Sequence, residues 1–143
     1  MQAQPRQNDW TDVVIAMDRT MRVFADFVRP ILSSIGVGGL STSNLIFLMQ
    51  IGSKEARVND IVRRGRYIGS NASYALKALQ EQGLIDRRQD PGDRRNAVIR
   101  WTAHGAAVVA AVRDACRDPK AVPREAAELL RAFESHCARL PGA

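Results

Sequence analysis

Strand-like sequence occurs in one place in this chain, and there it doubles back on itself. Leu84 to Arg88 and Ala97 to Trp101 each read as a short strand, and between them runs Gln89-Asp90-Pro91-Gly92-Asp93-Arg94-Arg95-Asn96, in which Asp-Pro-Gly-Asp is a strong turn signal. The product is a hairpin with a charged tip. The segments on either side carry the three- and four-residue apolar spacing of helices, so the chain is mostly α with one small β-hairpin, an α+β fold. Its 143 residues are the size of one domain around one hydrophobic core.

Residues 1 to 8 have no hydrophobic period and read as a loose tail. Asp9 is placed to cap a helix, with Asp12 near its positive end. Val13, Met17, Met21, Phe24, Phe27, Val28, Ile31 and Ile35 then form one broad helical face that must be buried. Pro30 has no amide proton and disfavours helix at Arg29, which predicts a kink or break. Gly36, Gly38 and Gly39 end this element. Leu40-Ser41 opens the next, with Ser41 as N-cap of a largely buried helix carrying Leu45, Ile46, Leu48, Met49 and Ile51.

A short helix from Asn59 to Arg64 stops at Gly65, and the turn from Gly65 to Gly69 leads to Ser70, the expected N-cap of a helix running to about Gln82 and closed by Gly83. Two short helices around a glycine-containing turn are a helix-turn-helix signature. After the hairpin, helix returns from Ala103 to about Arg117, breaks over Asp118 to Pro123, and resumes from Arg124 to Leu140 with Leu129, Leu130, Phe133, Cys137 and Leu140 on one side.

Several function classes are excluded by what the chain lacks. The longest apolar run, Ala106 to Val112, is far short of the ~20 residues that cross a bilayer, and the polar start has no signal-peptide core. Cys116 and Cys137 have no CxxC spacing and read as semi-buried structural thiols in a reducing compartment. His104 and His136 are the only histidines, and neither belongs to a triad or a metal-ligand cluster, so no catalytic residue, metal or cofactor is expected. A cytoplasmic, nucleoid-associated protein without membrane contact is predicted.

Charge points to the partner. The formal net charge is +6, and from Ile61 to Arg100 nine basic residues stand against four acidic ones, so nearly all of the excess lies in that segment. An acidic partner such as nucleic acid fits this distribution, although an arginine-rich solvated surface would look the same by charge alone. The helix from Ser70 is more specific. Ala72, Ala75, Leu76 and Leu79 form its core stripe, and Ser70, Tyr74 and Lys77, flanked by Asn71 and Ser73, form the opposite one. No acid precedes Glu81 there, and these side chains can read base edges or grip phosphates. Arg63, Arg64 and Arg66 flank the helix before it, and Arg87 and Arg88 after it. In the hairpin, Arg94-Arg95 at the tip can enter a minor groove, with Asp93 orienting one guanidinium.

Together these stretches resemble the MarR family of bacterial regulators. The resemblance runs from about residue 40 to 105 and is carried by Leu40-Ser41, Val58-Asn59-Asp60-Ile61-Val62, Leu79-Gln80-Glu81-Gln82-Gly83-Leu84-Ile85, Asp93-Arg94-Arg95 and Thr102-Ala103-His104-Gly105. It implies a homodimer interlocked through helices over about 9–39 and 103–140, with a winged helix-turn-helix lobe over about 40–102. It further implies a sequence-specific regulator of double-stranded DNA, usually a repressor, often released by a small ligand or by oxidation. Asn71, Ser73, Tyr74 and Lys77 then take the recognition role, and Arg95 is the wing arginine with Asp93 as its partner. The chain departs from the pattern at Trp101, where leucine is usual, in the basic turn from Gly65 to Gly69, and in having no cysteine before Cys116. The rival readings are a basic architectural protein that coats DNA without reading it and an interaction adaptor that keeps the fold without operator binding.

Overall fold

The computed structural model describes residues 10–117 and 124–139. The expected tail, the Asp9 cap, the break before Arg124 and Leu140 lie outside them. Among the described residues, six helices and three short strands run in the order α1 (Trp10–Ser34), α2 (Thr42–Ile51), β1 (Ala56–Arg57), α3 (Val58–Arg64), α4 (Gly69–Glu81), β2 (Ile85–Asp90), β3 (Asp93–Trp101), α5 (Ala103–Ala115) and α6 (Arg124–Cys137). The chain divides into two compact units, residues 1–112 and 113–143.

The core of the first unit draws on every helix in it. Val28 and Leu32 of α1, Leu45, Phe47, Leu48 and Ile51 of α2, Ile61 of α3, and Ala72, Leu76 and Leu79 of α4 meet Leu84, Ile85, Ile99 and the valines of α5. The expected α4 stripe is therefore the buried one, and Ser41 caps α2 as expected by accepting the Asn44 amide. The three strands form one antiparallel sheet with β3 in the middle. β1 has too few residues to show any alternation in the sequence.

Two expectations about α1 need correction. The helix continues through Pro30 without a break. Pro30 and Asp26 are on the exposed side, where water can hydrate the carbonyl that proline leaves without a donor. The broad apolar face is also not buried along its length. Only its C-terminal end docks on the core, whereas Met17, Met21 and Phe27 are exposed in the single chain.

Helix ends in the first unit share one device. After α1, Val37 N–H bonds to Leu32 carbonyl and Gly36 N–H to Ser33, and after α4, Leu84 N–H bonds to Leu79 and Gly83 N–H to Gln80. These paired bonds satisfy the last carbonyls of a helix and need a left-handed residue, here glycine both times, with φ 77° at Gly36 and 67° at Gly83. Trp101 serves a third helix end. Its indole N–H donates to Leu48 carbonyl at 2.8 Å, one of the last four carbonyls of α2 that the helix cannot satisfy internally. A leucine at this position has no donor.

Candidate nucleic-acid interface

The turn from α3 to α4 fixes how α4 is presented. Tyr67 N–H bonds to Val62 carbonyl and Arg66 N–H to Arg63, the same pair of bonds that closes α1 and α4. Here the left-handed residue is Arg66, with φ 51°. Glycine stands one position earlier because the Tyr67 ring lies over it: a Cβ on Gly65 would be 2.2 Å from that ring. The ring packs against Phe47 at 4.8 Å. Burial pushes the Tyr67 hydroxyl up from its usual range, opposed by a hydrogen bond with Gln50, so Tyr67 stays neutral as a structural wedge.

This geometry overturns the expected cap at Ser70. With Arg66 left-handed and Tyr67 half-buried against the core, the extended residue that starts α4 is Ile68, at φ −72° and ψ 135°, and it has no capping side chain. Ser70 lies inside the first turn. The outward face is otherwise as expected, with Ser70, Asn71, Ser73, Tyr74 and Lys77 all exposed, and Tyr74 at 81%. Lys77 is 3.9 Å from Glu81 one turn on, a loose surface pair.

The hairpin differs from expectation in shape. Asp90 pairs with Asp93 across a two-residue turn of Pro91 and Gly92, whereas Gln89 pairs with Ala97. Arg94, Arg95 and Asn96 are therefore looped out of the ladder in a bulge, and the arginine pair stands on this bulge instead of at the tip. Side chains hold it: Gln89 Nε2 donates to Arg94 carbonyl and Asn96 Oδ1 accepts the Ala97 amide. A bulge of this kind re-aims the side chains it carries. Asp93 also acts differently, since it accepts the Arg95 backbone amide at 3.0 Å and shapes the loop without gripping a guanidinium.

Beneath the turn, Asp90 is 5% exposed. Its Oδ1 accepts the Gly92 amide at 2.9 Å, and Arg57 Nε approaches Oδ2 at 2.8 Å as an ion pair without hydrogen-bond alignment. The Gly92 amide, with Arg57 and Arg88 adding to it against the effect of burial, holds this carboxyl below its usual range. The hairpin is thus tied to the start of α3 by a contact that sequence reasoning missed, because its two partners lie far apart in the chain.

The basic residues divide into two groups. Arg63 is held by Asp60 at 2.7 Å, and Arg88 makes a two-pronged pair with Glu55. Both belong to the expected contact set, but their charges are already balanced within the protein. Arg64, Arg66, Arg87, Arg94 and Arg95 are exposed and make no ion pair among the described residues. Arg87, Arg94 and Arg95 line a cleft with Gln80, Gln89 and Asn96, between the end of α4 and the hairpin.

A helix-turn-helix whose second helix presents a polar face, followed by an arginine-bearing hairpin, is the arrangement of a winged helix. The model of the MarR family matches residues 38–96. Those residues are a MarR-family segment. The chain shares its fold with winged-helix regulators of that family, which are not enzymes. One relative is the exopolysaccharide II synthesis transcriptional activator ExpG of Rhizobium meliloti (strain 1021), 36% identical over 101 residues, which are 71% of this chain and 52% of that protein. The match thus spans about half of that relative's length. Among solved structures, overoxidized AbfR bound to DNA superposes with a TM-score of 0.69 at 21% identity, covering 90% of this chain and 91% of that one. A MarR transcriptional regulator from Methanosarcina mazei Go1 gives 0.68 at 14% identity, with 88% and 94% covered. The chain departs from expectation at its cysteines, since Cys116 is exposed and only Cys137 is half-buried. No described helix is long and apolar enough to cross a membrane.

Proposed function

We propose that this protein is a sequence-specific, double-stranded-DNA-binding transcription regulator that works as a homodimer on a pseudo-palindromic operator. The observation that carries the reading is the pairing of two different surfaces. The α4 face offers Asn71, Ser73 and Tyr74 in its first turns, where such a helix reaches base edges. The bulge offers Arg94 and Arg95 without internal counter-charges, suited to a narrow, electronegative minor groove. Exposed apolar residues on α1 and α6 support the dimer. In the dimer, two α4 helices meet half-sites roughly 34 Å apart, one helical turn.

The experiment is selection of duplexes from a random library, followed by affinity measurements on selected and random DNA at physiological salt. A palindromic consensus bound at least ~1,000-fold more tightly than random DNA is expected. Asn71→Ala with Tyr74→Ala should lower operator affinity by a few kcal/mol and leave random-sequence binding nearly unchanged. Affinities within about threefold of each other would instead describe a DNA coat. The direction of regulation is a separate matter. Repression is the general expectation for such a regulator, whereas the relative ExpG is named an activator, and a promoter-reporter assay reads the sign. Release by a small effector is the remaining element, tested by loss of operator affinity on adding candidate compounds.

A further inference from the structure

The turn that starts α4 breaks three local rules within four residues. Arg66 holds the left-handed position that glycine holds at the ends of α1 and α4. Ile68 occupies the N-cap, where serine, threonine, aspartate or asparagine would satisfy a free amide of the helix, and it caps nothing. It is also 70% exposed, an isoleucine in water. Gly69 follows in the first turn of α4, where glycine weakens a helix. Its φ is not positive, and a Cβ there would meet nothing within 4 Å, so neither backbone conformation nor packing inside the protein requires the missing side chain. One exposed isoleucine is ordinary on a protein surface. Three departures together, at the start of the helix that carries the polar face, mark a place where local stability is given up for a contact outside the chain.

We infer that Ile68 is a specificity-determining residue that packs against the 5-methyl group of a thymine in the major groove, with Gly69 leaving the helix start bare enough for that approach. This rests on the reading of α4 as the groove-entering helix. The thymine methyl is the apolar group that base pairs display in the major groove, and it is the chemical match for an exposed branched aliphatic side chain among polar neighbours. Arg64 and Arg66, exposed and without internal partners, supply phosphate contacts next to it in sequence. Ser70 and Asn71 offer hydrogen bonds on its other side, and these cannot detect a methyl group.

The test uses the full-length protein and a duplex of about 30 base pairs selected from a random library, in which thymidines are replaced singly by deoxyuridine to remove only the methyl group. Wild type should lose about fourfold in affinity at one thymine in each half-site, the value of one buried methyl. With Ile68→Ala that replacement should have no effect, while any other sensitive position keeps its effect. Ile68→Ser, which supplies the missing cap and so keeps α4 secure, should show the same insensitivity. Equal uracil effects in wild type and Ile68→Ala, or a consensus with no methyl-sensitive thymine, overturn the inference alone. Failure to select any consensus overturns the parent reading and this inference with it.

Discussion

Leu84 carbonyl oxygen lies 2.0 Å from where a Cβ on Gly105 would stand. The same oxygen accepts the Thr102 amide, while Thr102 Oγ1 donates to Gly83 carbonyl and accepts the Gly105 amide. The start of α5 is therefore pressed against the chain segment that leaves α4, and only backbone could move to admit a methyl group. Gly105→Ala should destabilise the fold by about 1 to 3 kcal/mol, read from chemical denaturation. Gly69→Ala is the contrasting case, with open space around it, and should stabilise by roughly 0.5 to 1 kcal/mol. Stabilisation by both substitutions would mean that α5 does not approach this closely.

Asp90 gives the fold an acid-sensitive point. Its carboxyl is held below the ordinary aspartate range by the Gly92 amide and by Arg57. A lowered folded-state value means that the stabilisation is fully present above the unfolded value of about 3.9 and is lost as pH falls through the lower folded value. Asp90→Asn should therefore lower the melting temperature at pH 5 to 7, and the gap to wild type should close below about pH 4. A gap that persists at acid pH would assign the effect to shape instead of charge.

The architecture was legible in the sequence wherever one segment determines its own state. Ser41 caps α2, Gly83 ends α4, and Ala72, Leu76 and Leu79 face the core, because capping, left-handed glycine and helical periodicity are local. What escaped was set by distant partners. Gly65 does end α3, but it is also the floor beneath the Tyr67 ring, which leaves Arg66 as the left-handed residue and moves the start of α4 to Ile68. The pairing of Arg88 with Glu55 and of Asp90 with Arg57 spans more than thirty positions each. The bulge at Arg94–Asn96 has no compositional signature, since its residues suit a loop or an edge strand equally.

Arg66 separates stability from binding. Holding a non-glycine residue in the left-handed region costs on the order of 1 kcal/mol, less for asparagine, whose short side chain tolerates it. Arg66→Asn should leave stability unchanged or slightly raised. Operator binding should weaken, and the slope of log affinity against log salt should shrink by about 1 for each Arg66 lost from a phosphate contact. An unchanged slope would remove Arg66 from the DNA contacts.

The bulge predicts an order of effects among wing residues. Arg95→Ala should weaken binding by about 1 to 3 kcal/mol, with little change in which sequence is preferred, because a minor-groove arginine reads width and potential. Asp93→Ala removes the acceptor of the Arg95 amide and loosens the loop, so its loss should be smaller. Arg88→Ala should act through stability instead, since its guanidinium is paired with Glu55. Competition binding and thermal denaturation on the three variants distinguish these outcomes, and an affinity loss for Arg88→Ala at unchanged stability would return that residue to the DNA surface.

Leu129 and Leu130 on α6, 70% and 52% exposed, test the dimer without disturbing the core of a single chain. An exposed leucine pair is unfavourable for a soluble monomer and favourable for a surface that is covered by a second copy. Leu129→Asp with Leu130→Asp places two charges where the proposed dimer is dry, and desolvating unpaired carboxylates opposes association strongly. Sedimentation at micromolar concentration should change from dimer to monomer. Operator affinity should fall by about 10² to 10⁴, because the second half-site is no longer bound intramolecularly, while binding to a single half-site changes little. A double variant that remains dimeric with unchanged affinity would take α6 out of the dimer contact and leave the exposed face of α1 as the surface to test next by Met21→Glu.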